Sequence, residues 1–378
     1  MNHAKLALNS RPLNSYLESK VWLHSRRQSQ FPSGLIAVKS PIGKGQADPY
    51  SNPVLLLLLV FLAVSLGADA AEPAKPELPS AALLEGSPAR QGVETEFQKL
   101  ESDDDAAQAD VDKWKRENAE AKTKGAGLSE TEFEARIRAR FEPVRKAYDE
   151  FLDRHPNHAK AHLAYGCFLN EQQDETGART EWEKALELDP QNSAIYNNLA
   201  GSYSEAGPAS KAFDYFNKAI ALKPTEASYY HNFGTTLYVL RKSGAKYYGV
   251  DEQAVFAKVI QLYSNAVRLD RTNFSFATDL AQTYYSLKPL PIETALVAWT
   301  NALQAARQGT QREDVLIHLA RVKMLDGHLA EARALLTLVT NQSQQQLKAN
   351  LIQAIEAREH PSAKANSSTA LQNKQPQN

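Results

Sequence analysis

The sequence predicts an all-α protein, built as a solenoid of stacked helix–turn–helix pairs. Residues that favour helices dominate the chain, while glycine and proline number only 17 and 18 among 378 residues. In the middle of the chain, small, aromatic and proline residues recur with a period of 34 residues. Because one helix pair of that length cannot bury its apolar face alone, neighbouring pairs must stack.

The repeated pattern begins with a small residue and has an aromatic residue four positions after it. A second small residue follows three positions after the aromatic one, and a proline follows five positions after that. Two sets have this spacing and lie 34 residues apart: Ala178, Trp182, Ala185, Pro190 and Ala212, Phe216, Ala219, Pro224. A further small residue precedes each set by 12 positions, at Gly166 and Ala200. Small residues let paired helices approach closely, and proline ends a helix because it cannot continue the hydrogen-bonded ladder.

These positions resemble the tetratricopeptide repeat, and Ala-Leu-Glu-Leu-Asp-Pro at 185–190 closely matches the end of that family's unit. The resemblance implies a right-handed α-solenoid, in which helix A and helix B of each repeat pack together and the A helices line a concave groove. It also implies a protein that binds another protein or a peptide rather than an enzyme. It implies no cofactor.

The repeat register divides the chain into segments. We assign repeats to residues 159–192, 193–226, 227–273, 274–309 and 313–342. A degenerate repeat at 129–158, with Pro143 kinking or splitting its helices, and a charged helix at 93–122 precede them, and a capping helix at 344–358 follows. The third repeat contains an insertion at 241–255. The Pro-rich linker 71–92 and the polar tail 361–378 are expected to be disordered.

The N-terminal region contains the one strongly apolar run of the sequence, at 54–66, followed by Ala68-Asp69-Ala70. This pattern predicts a signal peptide at 54–70 that is cleaved after Ala70, and hence an exported protein of the bacterial periplasm or envelope. The alternative is an uncleaved membrane anchor at 54–68. Residues 1–53 are interpreted as the product of a misassigned start, or else as part of a bipartite signal to an organelle lumen.

The sequence offers little catalytic chemistry. It has no phosphate-binding loop, zinc-protease motif or serine nucleophile elbow. His155, His158 and His162 have a spacing that would suit a metal, but Pro156 breaks the helix that would align them, so we predict no metal site. Cys167 is predicted to be a small core residue. The formal net charge of −1 gives no basis for nucleic-acid binding.

The candidate binding residues lie on the A helices and in the insertion. On the A helices they are amides, hydroxyls and tyrosines, which suit an extended peptide: Asn197, Asn198, Asn232, Thr235, Tyr238, Thr278, Gln282 and Tyr285. The groove could instead be a solvated polar surface. Lys246, Tyr247 and Tyr248 of the insertion either contact a partner or pack on helix B of their own repeat.

Two functional hypotheses follow. The first is an exported scaffold that binds a protein or peptide in its groove. The second is an accessory or regulatory subunit of an envelope enzyme, with the chemistry in the partner. A carbohydrate-binding or enzymatic repeat protein is a third, weaker alternative. The mature chain is expected to have no membrane span, and self-association through the solenoid ends or the N-terminal helix stays open.

Overall fold

The computed structural model describes residues 88–307 and 309–360, which contain fourteen α-helices and no strand. The chain divides into two units between Ser102 and Asp103. One unit ends at Ser102; its described residues are 88–102, and they belong to the first helix. The second unit contains the residues from Asp103 onward. The repeats all lie in the second unit, within residues 103–360.

The helices follow one another with short connections. They are α1 (Pro88–Thr123), α2 (Glu130–Arg154), α3 (Ala159–Glu171), α4 (Glu175–Leu188), α5 (Ser193–Ala206), α6 (Ala209–Leu222), α7 (Ala227–Val239), α8 (Arg241–Tyr248), α9 (Glu252–Leu269), α10 (Phe274–Thr283), α11 (Ile292–Ala305), α12 (Thr310–Leu325), α13 (Leu329–Thr337) and α14 (Gln345–Glu359). Helices α3, α5, α7, α10 and α12 are the A helices of five repeats, and α4, α6, α9, α11 and α13 are their B helices.

The segment before the first full repeat differs from the prediction. Residues 130–154 form the single helix α2 with Pro143 inside it, so the degenerate repeat is not split at that proline. The partner of α2 is the C-terminal part of α1. Tyr148 donates a hydrogen bond to Asp104 at 3.0 Å, and Arg140 pairs with Asp110 at 2.8 Å. The sequence analysis expected Pro143 to kink or split the helices of a repeat at 129–158, whereas residues 130–154 form one helix, which contacts α1.

The first two full repeats have the predicted register. In the first, Gly166 on α3 faces Trp182 on α4 so closely that an added Cβ would lie 2.4 Å from Trp182 Nε1. In the second, Ala200 and Phe216 take the equivalent positions and are fully buried. The small residue on helix A therefore sets how closely the aromatic ring of helix B can approach.

The insertion in the third repeat is a helix and not a loop. Helix α7 ends at Val239, and α8 follows after Leu240. Gly249 caps the C-terminal end of α8, and its φ of 66° is the left-handed conformation that favours glycine. Gly244 is buried at the point where α8 meets α7, since an added Cβ would lie 2.5 Å from Leu237 Cδ1. The extra residues thus add a packed element between helix A and helix B.

The last repeats end in the capping helix α14. Leu351 and Ile355 of α14 are buried against Leu336 of α13 and Ile317 of α12. Leu347 of the same helix is 39% exposed. It lies in the first turn of α14, before the helix meets the core.

Several predictions concern residues outside the described part of the chain: the extension 1–53, the signal peptide 54–70, most of the linker 71–92 and the tail 361–378. Within residues 88–307 and 309–360, no helix combines the length and the apolar character needed to cross a membrane.

Candidate binding surface

The A helices present one continuous side of the stack, which we call the A-helix face. In four of the five A helices, a polar residue stands just before the Leu-Ala or Phe-Gly pair. It is Asn198 in α5, Asn232 in α7, Asp279 in α10 and His318 in α12. A row of polar side chains therefore follows this face from repeat to repeat.

The first part of the row is closed by hydrogen bonds between amides. Asn232 Nδ2 donates to Asn197 Oδ1 at 3.1 Å, and Asn197 Nδ2 lies 3.5 Å from Asn198 Oδ1. Asn198 Nδ2 in turn donates to Cys167 Sγ at 3.2 Å. All four residues are buried, with at most 4% of their surface exposed. We call this chain of contacts the amide ladder, and it links α3, α5 and α7.

The ladder changes the interpretation of three predicted binding residues. Asn197, Asn198 and Asn232 were expected to offer their amides to a peptide backbone. In the structure they satisfy one another, and a buried polar group that is already paired gains little from a ligand. Cys167 is buried, as predicted.

Farther along the face, the polar residues also pair between helices. His231 of α7 meets Asp279 of α10, with Nε2 2.7 Å from Oδ2. The hydroxyl oxygens of Thr235 in α7 and Tyr263 in α9 lie 2.9 Å apart. Burial raises the pKa of Tyr263. Tyr238 Oη is 3.2 Å from Ser286 Oγ. Thr235 and Tyr238 are half-buried, so they retain some surface for a partner.

The insertion residues lie away from the other candidates. Tyr247 packs edge-on against Phe213 of α6 at 5.2 Å and donates to Asp214 at 2.5 Å, a hydrogen bond that together with burial raises its pKa to about 12. Tyr248 lies under Lys258 of α9 at 4.4 Å. Lys246 is exposed. Packing against helix B was the anticipated alternative to binding, but Tyr247 packs on helix B of the preceding repeat.

The face opens into a cavity of about 250 Å³ near the C-terminal end of the stack. Three residues of α10, at spacings of four, form one wall, and α12 forms the opposite wall. The residues that line it are Phe274, Thr278, Gln282, Trp299, Asp314, Val315, Ile317, His318, Gln344 and Leu347. Thr278 and Gln282 were predicted as binding residues, and we call this space the α10–α12 pocket.

Aromatic stacking builds the floor of the α10–α12 pocket. The rings of Trp299 and His318 are parallel, with centroids 4.1 Å apart. Burial, followed by the charge of Arg321, lowers the pKa of His318 to about 3, so the imidazole is neutral at physiological pH. Tyr285 lies beside this stack, with its hydroxyl 3.4 Å from the His318 Nδ1, and burial raises the pKa of Tyr285.

One carboxyl group belongs to the wall of the pocket. Burial and the neighbouring Glu313 raise the pKa of Asp314. Its Oδ1 accepts a hydrogen bond from Gln344 Nε2, while Gln344 Oε1 is buried without a partner. Glu313 points the other way and accepts hydrogen bonds from the backbone of Thr340 and Asn341. These contacts hold the turn before α14 against α12.

The sequence analysis did not identify Asp314, His318, Trp299 or Gln344 as site residues. Asp314 and His318 are four positions apart on one A helix, as Thr278 and Gln282 are on another, and this spacing could have placed them on one face. Trp299 lies on a B helix and Gln344 lies outside the repeats, so neither is among the A-helix candidates. Their convergence depends on how α14 closes the end of the stack.

The three histidines near the start of the first repeat contact other residues rather than one another. His155 and His158 both lie against Phe151, at 4.8 and 5.2 Å between ring centroids. His162 Nδ1 is 2.6 Å from Glu181 Oε2, and its Nε2 is 2.9 Å from the Pro156 carbonyl oxygen. Within the described residues, no group of three or more His, Cys, Asp or Glu side chains is arranged to hold a metal ion.

The family model of the tetratricopeptide repeat matches residues 145–193 and 172–227. Residues 145–227 of the chain therefore consist of tetratricopeptide repeats. The two matches cover α3–α6 and the end of α2, which is the part of the stack with the regular 34-residue period. The tetratricopeptide fold is that of a protein-interaction scaffold, so the general class of function predicted from the sequence is supported.

Similar solved structures include tetratricopeptide-repeat and pilus-biogenesis proteins. YrrB, described as having an unusual peptide-binding site, is 15% identical, with 55% of this chain and 97% of YrrB covered and a TM-score of 0.43. PilF of Pseudomonas aeruginosa is 18% identical over 67% of this chain and 99% of PilF, with a TM-score of 0.44. PilW, a type IV pilus biogenesis factor, is 16% identical over 57% of this chain and 91% of PilW, with a TM-score of 0.40. No curated protein matches the chain.

Proposed function

We propose that this tetratricopeptide-repeat protein is a non-enzymatic scaffold that binds an extended segment of a partner protein along its A-helix face. The observation that carries the proposal is the α10–α12 pocket, a cavity of about 250 Å³ between two A helices on this face. Thr278 and Gln282 lie four residues apart on its wall. Half-buried Thr235 and Tyr238 lie on the neighbouring A helix and extend the surface available to the segment.

The amide ladder has a supporting role in this proposal. It fixes α3, α5 and α7 relative to one another through buried hydrogen bonds. A rigid face loses little conformational entropy when a ligand binds, which favours affinity. The contacts with the partner itself then fall to the half-buried residues from Thr235 onward.

We further propose that the scaffold acts in the bacterial periplasm or envelope, after cleavage behind Ala70. The support is the apolar run 54–66 followed by small residues at 68 and 70. N-terminal sequencing of the protein recovered from cells should give Ala71 as the first residue. A mature chain that retains 54–66 would instead establish the anchored form.

Site-specific photocrosslinking tests the binding face. A photoreactive phenylalanine analogue at Gln282 on the pocket wall should capture a partner in intact cells. The matched control carries the same analogue at Val297, which is 61% exposed on helix α11 of the same repeat. Equal capture at both positions, or capture at Val297 alone, would contradict binding along the A-helix face.

The identity of the captured protein separates the two functional hypotheses. A partner without an active site supports a simple scaffold. A partner with an active site, whose turnover changes when this chain is added, supports an accessory subunit of an enzyme.

A further inference from the structure

We propose that the α10–α12 pocket is an anchor site for a cationic aliphatic side chain, such as a lysine, of the bound segment. This inference rests on the proposed function and names the chemistry of one subsite. It starts from what the pocket lacks. Among the ten residues that line it there is no lysine or arginine, and Asp314 is its one carboxylate.

The polar groups of the pocket call for a ligand that donates hydrogen bonds. Gln344 gives its amide N–H to Asp314, which leaves Gln344 Oε1 as a buried acceptor without a partner. Asp314 retains further acceptor capacity, since a carboxylate has about four lone-pair sites. An ammonium group, with three donors and a positive charge, complements the remaining acceptor sites of the Asp314 carboxylate.

The other polar groups do not compete for that cation. His318 is neutral and stacked against Trp299, so it neither repels a cation nor supplies one. Trp299 Nε1 makes no hydrogen bond of normal geometry, but it lies close enough to the Tyr285 hydroxyl to oppose the rise in the pKa of that tyrosine. Its N–H is thus directed toward Tyr285 and not toward Asp314.

The remaining walls suit the aliphatic stem of a lysine. Phe274, Ile317 and Leu347 contribute apolar surface, and Leu347 is partly exposed at the rim. Long basic side chains commonly lay their methylene groups along apolar surface while the charged end reaches a polar partner. A cavity of about 250 Å³ exceeds the roughly 30 Å³ share of a single water several-fold, which leaves room for such a chain.

The test uses the full chain labelled with 5-fluorotryptophan and observed by fluorine NMR. The Trp299 signal is assigned from the Trp299→Phe variant. The probes are N-acetyl-lysine methylamide, the uncharged N-acetyl-norleucine methylamide and the acidic N-acetyl-glutamate methylamide. The lysine probe should shift the Trp299 signal with an apparent affinity at least about tenfold higher than the norleucine probe, a difference of about 1.4 kcal/mol.

Two variants locate the effect. Asp314→Asn keeps the side-chain shape but removes the charge, and it should abolish the preference for lysine over norleucine. The matched control is Asp153→Asn, an exposed carboxylate on α2, which should leave the preference unchanged. Leu347→Lys places a cation at the exposed rim of the pocket and should block the probe without disturbing the core.

Other outcomes overturn the proposal. Equal binding of lysine and norleucine probes would show an apolar pocket, and stronger binding of the glutamate probe would reverse the assigned charge. No shift with any probe, or equal loss in Asp314→Asn and Asp153→Asn, would also reject it. If photocrosslinking at Gln282 still captures a partner in those cases, only the anchor site fails. If the probe binds and no partner is captured, the scaffold function fails instead.

Discussion

Trp182 in the first repeat and Trp299 in the fourth occupy the same position of the repeat, four residues after a small residue on helix B. Trp182 Nε1 donates to the Leu163 carbonyl oxygen at 3.3 Å. Trp299 Nε1 is buried without such a bond. The residues opposite them differ in one methyl group, since Gly166 faces Trp182 and Ala281 takes the equivalent place in the fourth repeat.

The comparison extends to the helices around each tryptophan. On the side of Trp182 the A helices are linked by the amide ladder. Around Trp299 the next A helix contributes His318, which stacks on the indole, and the face opens into the α10–α12 pocket. The same repeat position therefore carries a tryptophan bonded to a backbone carbonyl in the first repeat and the wall of a pocket in the fourth.

The largest expected effect comes from removing the space at Gly166. Gly166→Ala should lower the free energy of unfolding by about 2–3 kcal/mol, because its Cβ would meet both the Trp182 ring and the Ala178 carbonyl oxygen. The control is Gly201→Ala on α5, where nothing lies within 4 Å of an added Cβ. That change should stabilise the helix by about 0.5–1 kcal/mol. Denaturant titrations of both variants measure the contrast, and similar values would mean that the assigned contact is wrong.

A pH titration of stability should show the second effect, at His318. Burial lowers its folded pKa from 6.5 to about 3, so between these values the unfolded chain binds more protons than the folded one. The free energy of unfolding should therefore fall by about 2 kcal/mol between pH 7 and pH 5 from this residue alone. His318→Phe keeps a ring that can stack on Trp299 but has no proton to bind. Its free energy of unfolding should therefore not show this fall between pH 7 and pH 5.

His162 in the first repeat should show the opposite pH dependence. Burial by itself would lower its pKa, but the hydrogen bonds to Glu181 and Pro156 raise it above the usual value. Its contribution to stability is therefore present below pH 6.5 and is lost as the pH rises through the folded pKa. If His162→Gln and His318→Phe change the pH profile in the same direction, one of the two environments is wrongly described.

The amide ladder gives the fourth prediction. Asn197→Ala should cost about 1–2 kcal/mol, because it leaves Asn232 Nδ2 and Asn198 Oδ1 buried without their partner. A double-mutant cycle with Asn232→Ala should give a coupling energy of at least about 0.5 kcal/mol. Additive losses would show that the two amides act independently.

The smallest effect should come from reversing the difference between the two tryptophans. Ala281→Gly removes the methyl group that distinguishes the fourth repeat from the first. The loss of helix propensity costs about 1 kcal/mol. It should be largely offset if the Trp299 N–H then donates a hydrogen bond to a backbone carbonyl oxygen of helix α10, as Trp182 does to Leu163 in the first repeat. The net change in unfolding free energy should stay below about 0.5 kcal/mol. A full loss of about 1 kcal/mol would show that Ala281 does not keep the indole N–H from the carbonyl oxygens of helix α10.

The sequence alone determined the class of fold and the register of the repeats. Small residues at 166, 178, 200 and 212, aromatic residues on the B helices and prolines at helix ends are local requirements of a helix pair. Each of them is satisfied within one repeat or between neighbours, so a 34-residue pattern was enough to place α3–α7. The same argument failed at Pro143, since a proline ends a helix only if tertiary packing does not hold the helix together.

The tertiary structure decided which polar residues are available to a partner. Asn197, Asn198 and Asn232 looked like groove residues because their repeat position faces the groove, but hydrogen bonds between three helices bury them. Tyr247 of the insertion packs on the preceding repeat. The α10–α12 pocket joins residues from α10, α11 and α12 with Gln344 and Leu347 near the start of α14. Such a convergence depends on packing between distant segments, and no spacing along a single chain encodes it.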